Sequence, residues 1–104
     1  MNIIEEIKKR LAPLHPFKVI LFGSRAKRSA SKTSDYDLYI VTNDKFTPQN
    51  WEEKKRLYLP FLKALRDLQK YYPIDIIVHT KTMHEEFIKQ DSLFAKEIQK
   101  GQTL

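Results

Sequence analysis

Cysteine is absent from this chain, and glycine occurs only at Gly23 and Gly101. Without cysteine the chain has no disulfides and no thiolate metal sites, which is typical of proteins from a reducing compartment. Apolar runs are also short, and none approaches the roughly 20 residues that span a bilayer. The first ten residues contain glutamates and lysines and do not resemble a signal peptide. We therefore expect a cytoplasmic protein that does not enter a membrane.

The length and the charge of the chain indicate how many domains it has and which kinds of partner it binds. The 104 residues suit one domain, which we expect to span 1–104. Lysine and arginine number 19 against 13 aspartates and glutamates, a formal charge of +6. These basic residues are spread along the chain, without a dense block or interleaved aromatic residues, so we expect no direct binding to nucleic acid. The positive balance fits a solvated surface or a pocket for a triphosphate.

Hydrophobic patterning in the first half predicts a helix followed by two strands. Residues 3–11 carry an amphipathic stripe, with Asn2 as a cap and Pro13 as the stop. Apolar runs rich in β-branched residues predict strands over Lys18–Phe22 and Tyr36–Val41. Between them we expect a short helix to begin at Ser24 and a polar loop over 28–34.

The second half of the sequence predicts a further strand and three helical segments. A long helix is expected over 51–72, with Asn50 and Glu53 as a capping box and with Pro60 causing a kink or a break. The third strand is Ile74–His79. Thr82 and Glu85 have capping-box spacing and open a helix through about Lys89, and Asp91 or Ser92 can cap a last helix that ends at Gly101. The expected fold is α/β (α+β), a small mixed three-stranded sheet flanked by helices.

Three aspartates form the main chemical signal. Asp35 and Asp37 are two residues apart at the second strand, so alternation directs both carboxylates to one face. Asp75 lies in an otherwise apolar strand, where an unpaired charge is costly. If the third strand lies beside the second, Asp75 joins the same face. Carboxylates that repel one another favour a hard cation such as Mg²⁺, or Mn²⁺, and three can hold two ions about 3.5–4 Å apart.

A second signal stands at the end of the first strand. Gly23 and Ser24 follow a buried strand at a predicted helix start, where backbone N–H groups can approach a phosphate closely. Arg25 and Lys27 are placed to neutralise the charge of a triphosphate. The three histidines (His15, His79 and His84) lack metal-ligand spacing, and we expect none of them to be a ligand.

The stretch LFGSRAKRSASKTSDYDLYIV resembles the signature of the DNA-polymerase-β-type nucleotidyltransferase superfamily. That signature is an apolar strand, Gly-Ser, a spacer of about ten residues and Asp-x-Asp in a second strand, with a third acid on a later strand. Here ten residues separate Ser24 from Asp35, and Asp75 in PIDIIV is similar to the third acid. The short chain resembles the minimal nucleotidyltransferase (MNT) group.

This resemblance implies a polymerase-β-like nucleotidyltransferase fold and a set of roles. Gly23 and Ser24 would contact the phosphates of an NTP, with ATP expected. Asp35 and Asp37 would bind both Mg²⁺ ions. Asp75 would bind the second ion and help to deprotonate the attacking hydroxyl.

The resemblance also suggests a partner and an acceptor. Minimal nucleotidyltransferases resemble the antitoxins of small helical HEPN-type toxins, in which AMP is attached to a toxin tyrosine. We therefore expect an oligomer with a HEPN-type protein encoded nearby. Two alternatives stay open: a non-catalytic module that neutralises a toxin by covering it, and an aminoglycoside-type enzyme that modifies a small molecule.

Overall fold

The computed structural model describes residues 2–27 and 34–104. In these ranges the helices and strands are, in chain order, α1 Ile3–Leu11, β1 Lys18–Phe22, β2 Tyr36–Val41, α2 Trp51–Gln69, β3 Ile74–His79, α3 Lys81–Lys89, α4 Leu93–Gln99 and β4 Gln102–Thr103. A turn of 3₁₀ helix, Ala12–Leu14, follows α1 and contains Pro13. The bounds of the three predicted strands are confirmed.

The sheet has the order β3-β2-β1-β4. β2 runs parallel to β3, while β1 is antiparallel to both β2 and β4, so the predicted mixed sheet is confirmed. The predicted number of three strands is wrong, because Gln102 and Thr103 add a short fourth strand to β1. Both residues are exposed and polar, and a pair held by its backbone carries no hydrophobic pattern.

Gly101 makes the fourth strand possible. A Cβ atom at this position would lie 2.6 Å from the carbonyl oxygen of Leu21 and 2.6 Å from Cγ2 of Ile20. The backbone of the chain end can therefore approach β1 closely enough to pair with it because residue 101 has no side chain.

The segment after β1 differs from its prediction. The N–H groups of Ala26 and Lys27 both donate to the carbonyl of Gly23, at 3.2 and 3.3 Å. These bonds close a turn over Ser24 to Lys27, so the helix expected to begin at Ser24 is absent from this part of the chain. Of the loop predicted over 28–34, residues 28–33 lie outside the described residues.

Helix α2 is unbroken through Pro60, so of the two expected outcomes, a kink or a break, the break does not occur. Proline at this position leaves the carbonyl of Arg56 without its helical donor. Both Pro60 and Arg56 are exposed, and water can satisfy that carbonyl. The predicted cap is confirmed, since Oδ1 of Asn50 accepts from the N–H of Glu53 at 2.9 Å. The helix ends at Gln69, before the predicted Tyr72.

The residue that caps α3 differs from the predicted one, and the cap of α4 is one of the two predicted residues. Helix α3 is capped by Thr80 and not by Thr82: the Oγ1 atom of Thr80 accepts from the N–H of Met83 at 3.1 Å and donates to the carbonyl of Phe46 at 2.6 Å. Ser92, rather than Asp91, caps α4 through its bond from the N–H of Ala95 at 3.0 Å. In each case the hydroxyl satisfies a free amide of the first turn.

The sheet separates two apolar layers. One face of the sheet packs on α1 and α2 through a cluster that includes Ile7, Leu38, Ile40 and Leu65, all fully buried. The other face packs on α3 and α4 through a smaller cluster of Ile20, Tyr39, Val41 and Ile98, with Phe22, Ile77 and Phe87 at its margin. Alternation along β2 assigns Tyr36, Leu38 and Ile40 to the first face and the residues between them to the second.

An ion-pair cluster ties α1 to α2. The guanidinium of Arg10 contacts both carboxylate oxygens of Asp67, with Nε 3.0 Å from Oδ1 and Nη2 2.7 Å from Oδ2, and Nη1 lies 2.9 Å from Glu6. This two-pronged contact holds the pKa of Asp67 below its usual value. The pair fixes how the two helices lie against each other on one face of the sheet.

None of the helices in the described ranges combines the length and the apolar character needed to cross a membrane.

Candidate functional site

The parallel pairing of β2 and β3 brings two of the three predicted acids together. Asp37 and Asp75 are direct partners in the register of the two strands, so both side chains lie on the same face of the sheet. Asp35 immediately precedes β2. Each of the three residues offers one carboxylate oxygen, and these oxygens all lie within 4.8 Å of one another. The predicted meeting of Asp35, Asp37 and Asp75 on one face is thereby found in the structure.

Burial and neighbouring acidic groups raise the pKa values of two of these aspartates. Burial raises the pKa of Asp37, and the charges of Asp75, Asp35 and Glu97 raise it further. The pKa of Asp75 is also raised, by burial and by a hydrogen bond and charge interaction with Asp35. Every one of these contributions disfavours the ionised form.

The donor set fits a hard divalent cation. Its three groups are carboxylates, their oxygens are close enough to share an ion, and Asp35 and Asp75 are exposed while Asp37 is half-buried. An ion at this position has room for waters or phosphate oxygens, which Mg²⁺ usually retains as further ligands. A cation would also remove the repulsion that raises the pKa values of Asp37 and Asp75.

The Gly-Ser turn lies directly beside this acidic cluster. Gly23 adopts φ of +77°, and a Cβ atom built on it would lie 2.5 Å from Oδ2 of Asp37. Phe22, which precedes Gly23, is the partner of Asp37 in the β1–β2 register. The backbone at Gly23 and Ser24 is therefore adjacent to the carboxylates, as a phosphate-binding turn next to a metal site requires.

Arg25 and Lys27 lie at the margin of the site and already have protein partners. The guanidinium of Arg25 donates to the carbonyl oxygen of Ser34 from Nε at 3.3 Å and from Nη2 at 3.0 Å. Its central carbon lies 4.3 Å from the ring centre of Tyr36, a cation–π contact. Nζ of Lys27 lies 3.5 Å from Oε1 of Glu97. Nucleotide binding by Arg25 and Lys27 stays a prediction.

Two features of this region did not emerge from the sequence. Glu97, on α4, is one of the charges acting on Asp37, although it is remote in sequence and matches no motif. Folding alone brings it to the site, because α4 packs over β1. No spacing rule points to such a residue before the helix packing is known.

The second feature is a buried polar cluster around Tyr39. Its hydroxyl lies 3.0 Å from Nδ1 of His79 and 2.8 Å from Nδ1 of His84. Because a phenol has one proton, it can donate to one ring while the other ring donates to its oxygen. Burial lowers the pKa of both histidines. Tyr39 stands two residues beyond Asp37 on the same face of β2.

Gly-Ser beside three converging carboxylates is the arrangement that the sequence signature predicts for a nucleotidyltransferase. The family model described as "Polymerase beta, Nucleotidyltransferase" matches residues 2–101. The chain therefore belongs to this nucleotidyltransferase family, and the predicted family and polymerase-β-like fold are confirmed. Comparisons with curated proteins and with solved structures found no match.

Proposed function

We propose that this nucleotidyltransferase transfers AMP from ATP to a protein hydroxyl and that it depends on Mg²⁺, with Mn²⁺ as a substitute. The observation that carries the proposal is the convergence of three carboxylates within 4.8 Å of one another beside the Gly23 turn. The proposal extends the family assignment to a particular metal, nucleotide and acceptor.

The residues of the site have distinct roles in this proposal. Asp35, Asp37 and Asp75 would hold two Mg²⁺ ions, which would neutralise charge on the triphosphate. Gly23 and Ser24 contact the phosphates and orient the α-phosphorus toward the acceptor. Arg25 and Lys27 add positive charge at the margin of the phosphate site.

The reaction is an in-line displacement at the α-phosphorus. The acceptor oxygen forms a bond to this phosphorus while the bond to the bridging oxygen breaks, and pyrophosphate leaves with that electron pair. The acceptor proton would pass to Asp75, the acid that the family resemblance assigns to deprotonation of the attacking hydroxyl.

The exposure of the acids supports a macromolecular acceptor. Asp35 and Asp75 are exposed, so that a hydroxyl on the surface of another protein can reach them. A small-molecule acceptor is usually enclosed in a concave pocket. The resemblance to minimal nucleotidyltransferases supports a tyrosine of a HEPN-type toxin as this acceptor and an antitoxin role for the chain.

Intact-mass spectrometry tests this proposal. The small helical protein encoded beside this chain is incubated with it, ATP and Mg²⁺, and a mass increase of one or more AMP units is expected. Asp35→Asn is expected to abolish the increase, and Asp44→Asn, at an exposed acid outside the cluster, to preserve it. A stable complex without added mass would instead favour a non-catalytic binding module, and the absence of both would favour a small-molecule acceptor.

A further inference from the structure

Strand β3 lies at an edge of the sheet. In the strand order β3-β2-β1-β4 it pairs with β2, and among the described residues no strand pairs with its other side. The side-chain amide of Gln69 donates to the carbonyl of Ile74 at 2.9 Å, which occupies the beginning of this edge. The edge beyond it, at Ile76 to Val78, presents backbone donors and acceptors of the kind that pair with an added strand.

An apolar groove of about 430 Å³ runs along this edge. One wall is α2, through Trp51 and Tyr58, and the other is the first turn of α3, through Met83. Ile77 and Val78 both line the groove, and because successive residues of a strand point to opposite faces, the groove encloses the edge itself. It is therefore shaped for an extended chain whose side chains alternate between the two walls.

The charge of the groove restricts its occupant. Lys54 and Lys55 line it, and none of its described lining residues is acidic. A second copy of this chain would bring two such lysine pairs together, and each copy carries a net charge of +6. Like charges at an interface suppress such pairing, whereas a partner with carboxylates is attracted.

The exposure of Trp51 also supports binding of a partner protein at this groove. Trp51 is 72% exposed although it lies at the wall of an apolar groove. Large exposed aromatic residues beside a pocket are typical anchors of protein interfaces, because their burial on binding contributes much of the affinity.

We propose that the β3 groove binds an extended segment of a partner protein, which adds to the sheet as a strand beside β3. The segment carries carboxylates that pair with Lys54 and Lys55 and a large apolar side chain that packs on Trp51. The residues that line the groove do not include Asp35, Asp37 or Asp75, and the inference does not depend on the proposed transfer reaction.

Trp51 is the single tryptophan of the chain and reports directly on the groove. The test titrates the full chain with a short blocked peptide in which aspartates flank a segment of valine and phenylalanine. We expect a saturable blue shift of the Trp51 emission and perturbed NMR amide signals at Ile76 to Val78. A peptide with lysine in place of aspartate, and an acidic peptide with N-methylated amides, should produce neither change.

Charge-reversal variants sharpen the test. Lys54→Glu combined with Lys55→Glu should weaken binding of the acidic peptide about tenfold or more. Lys63→Glu combined with Arg66→Glu is the matched control, since both residues are exposed on the same helix but outside the groove. Circular dichroism confirms that each variant is folded.

Four results would overturn the proposal. The first is the absence of a response to the acidic peptide, and the second is an equal response to the acidic and basic peptides. The third is undiminished binding of the N-methylated peptide. The fourth is a dimer in sedimentation experiments together with a blue-shifted Trp51 emission in the absence of peptide. The last of these would identify a second copy of this chain as the occupant.

Discussion

Gly23 and Asp37 contact each other so closely that a side chain at position 23 has no space. The glycine adopts φ of +77°, and a Cβ atom there would lie 2.5 Å from Oδ2 of Asp37. Two parts of the signature that are far apart in sequence are thus one structural unit. The turn sets the position of the carboxylate, and the carboxylate limits what the turn can contain.

Gly23→Ala should therefore impair both folding and transfer. The left-handed conformation costs alanine about 1–2 kcal/mol, and the added methyl group displaces the carboxylate of Asp37. We expect nucleotidyl transfer to fall about tenfold to a hundredfold, measured as pyrophosphate release. Gly101→Ala, which meets the backbone of β1, is the control: it should also lower stability yet preserve transfer below its melting temperature. Wild-type rates in Gly23→Ala would contradict the assigned geometry.

Asp37→Asn should stabilise the metal-free protein while removing its function. The raised pKa of Asp37 means that its ionised form is disfavoured in the folded state near neutral pH. Removal of this charge should raise the free energy of unfolding in EDTA by a few tenths to about 1 kcal/mol. Urea unfolding with and without Mg²⁺ measures both effects, with Asp44→Asn as the control. A variant that is less stable in EDTA and still stabilised by Mg²⁺ would be evidence against a strained metal site.

The Tyr39 cluster should make stability fall in mild acid. The pKa values of His79 and His84 are lowered from 6.5 in the folded protein, so below pH 6.5 the unfolded chain binds more protons. The free energy of unfolding should fall as the pH decreases from 6.5 through the lowered values. His84→Gln should reduce this slope, because glutamine keeps a hydrogen-bonding group without the titration.

Urea unfolding between pH 7 and pH 5, at constant ionic strength, measures this slope. Asp37 and Asp75 contribute with the opposite sign, because raised carboxyl pKa values favour the folded state as the pH falls. Their contribution is common to wild type and His84→Gln and cancels in the comparison. Identical slopes in the two proteins would show that His84 does not titrate with folding.

Arg25 should affect metal binding even without nucleotide. Its two donors hold the carbonyl of Ser34, the residue immediately before Asp35. Arg25→Lys loses the planar fork of donors, and we expect Mg²⁺ affinity in the absence of nucleotide to fall several-fold, measured by calorimetry. Arg56→Lys, at an exposed arginine of α2, is the control. An unchanged Mg²⁺ affinity with a raised KM for ATP would show that Arg25 acts on the phosphates instead.

The sequence predicted the acidic site because strand alternation and one anomalous residue are local signals. Asp75 stood out as a charge in the apolar run of β3, and its register with Asp37 followed once the two strands were placed side by side. The Gly-Ser turn was visible for the same reason, since it directly follows the apolar run of β1.

The fourth strand, the Thr80 cap and the position of Glu97 were not predicted, because each depends on contacts between residues that are distant in sequence. The strand at Gln102 is polar and is held by backbone pairing, so it leaves no pattern. Thr80 caps α3 in place of Thr82 because its hydroxyl also reaches the carbonyl of Phe46, across the fold. Likewise, Glu97 meets the charge of Asp37 only after α4 has packed on the sheet.

Metal binding at the three aspartates can be measured by electron paramagnetic resonance of Mn²⁺ bound to this chain, with and without a non-hydrolysable ATP analogue. We expect Mn²⁺ to bind and the analogue to tighten its binding. Asp35→Asn, Asp37→Asn and Asp75→Asn should each weaken Mn²⁺ binding, while Asp44→Asn should not. Equal Mn²⁺ binding by wild type and all four variants would contradict a metal–nucleotide site at these three aspartates.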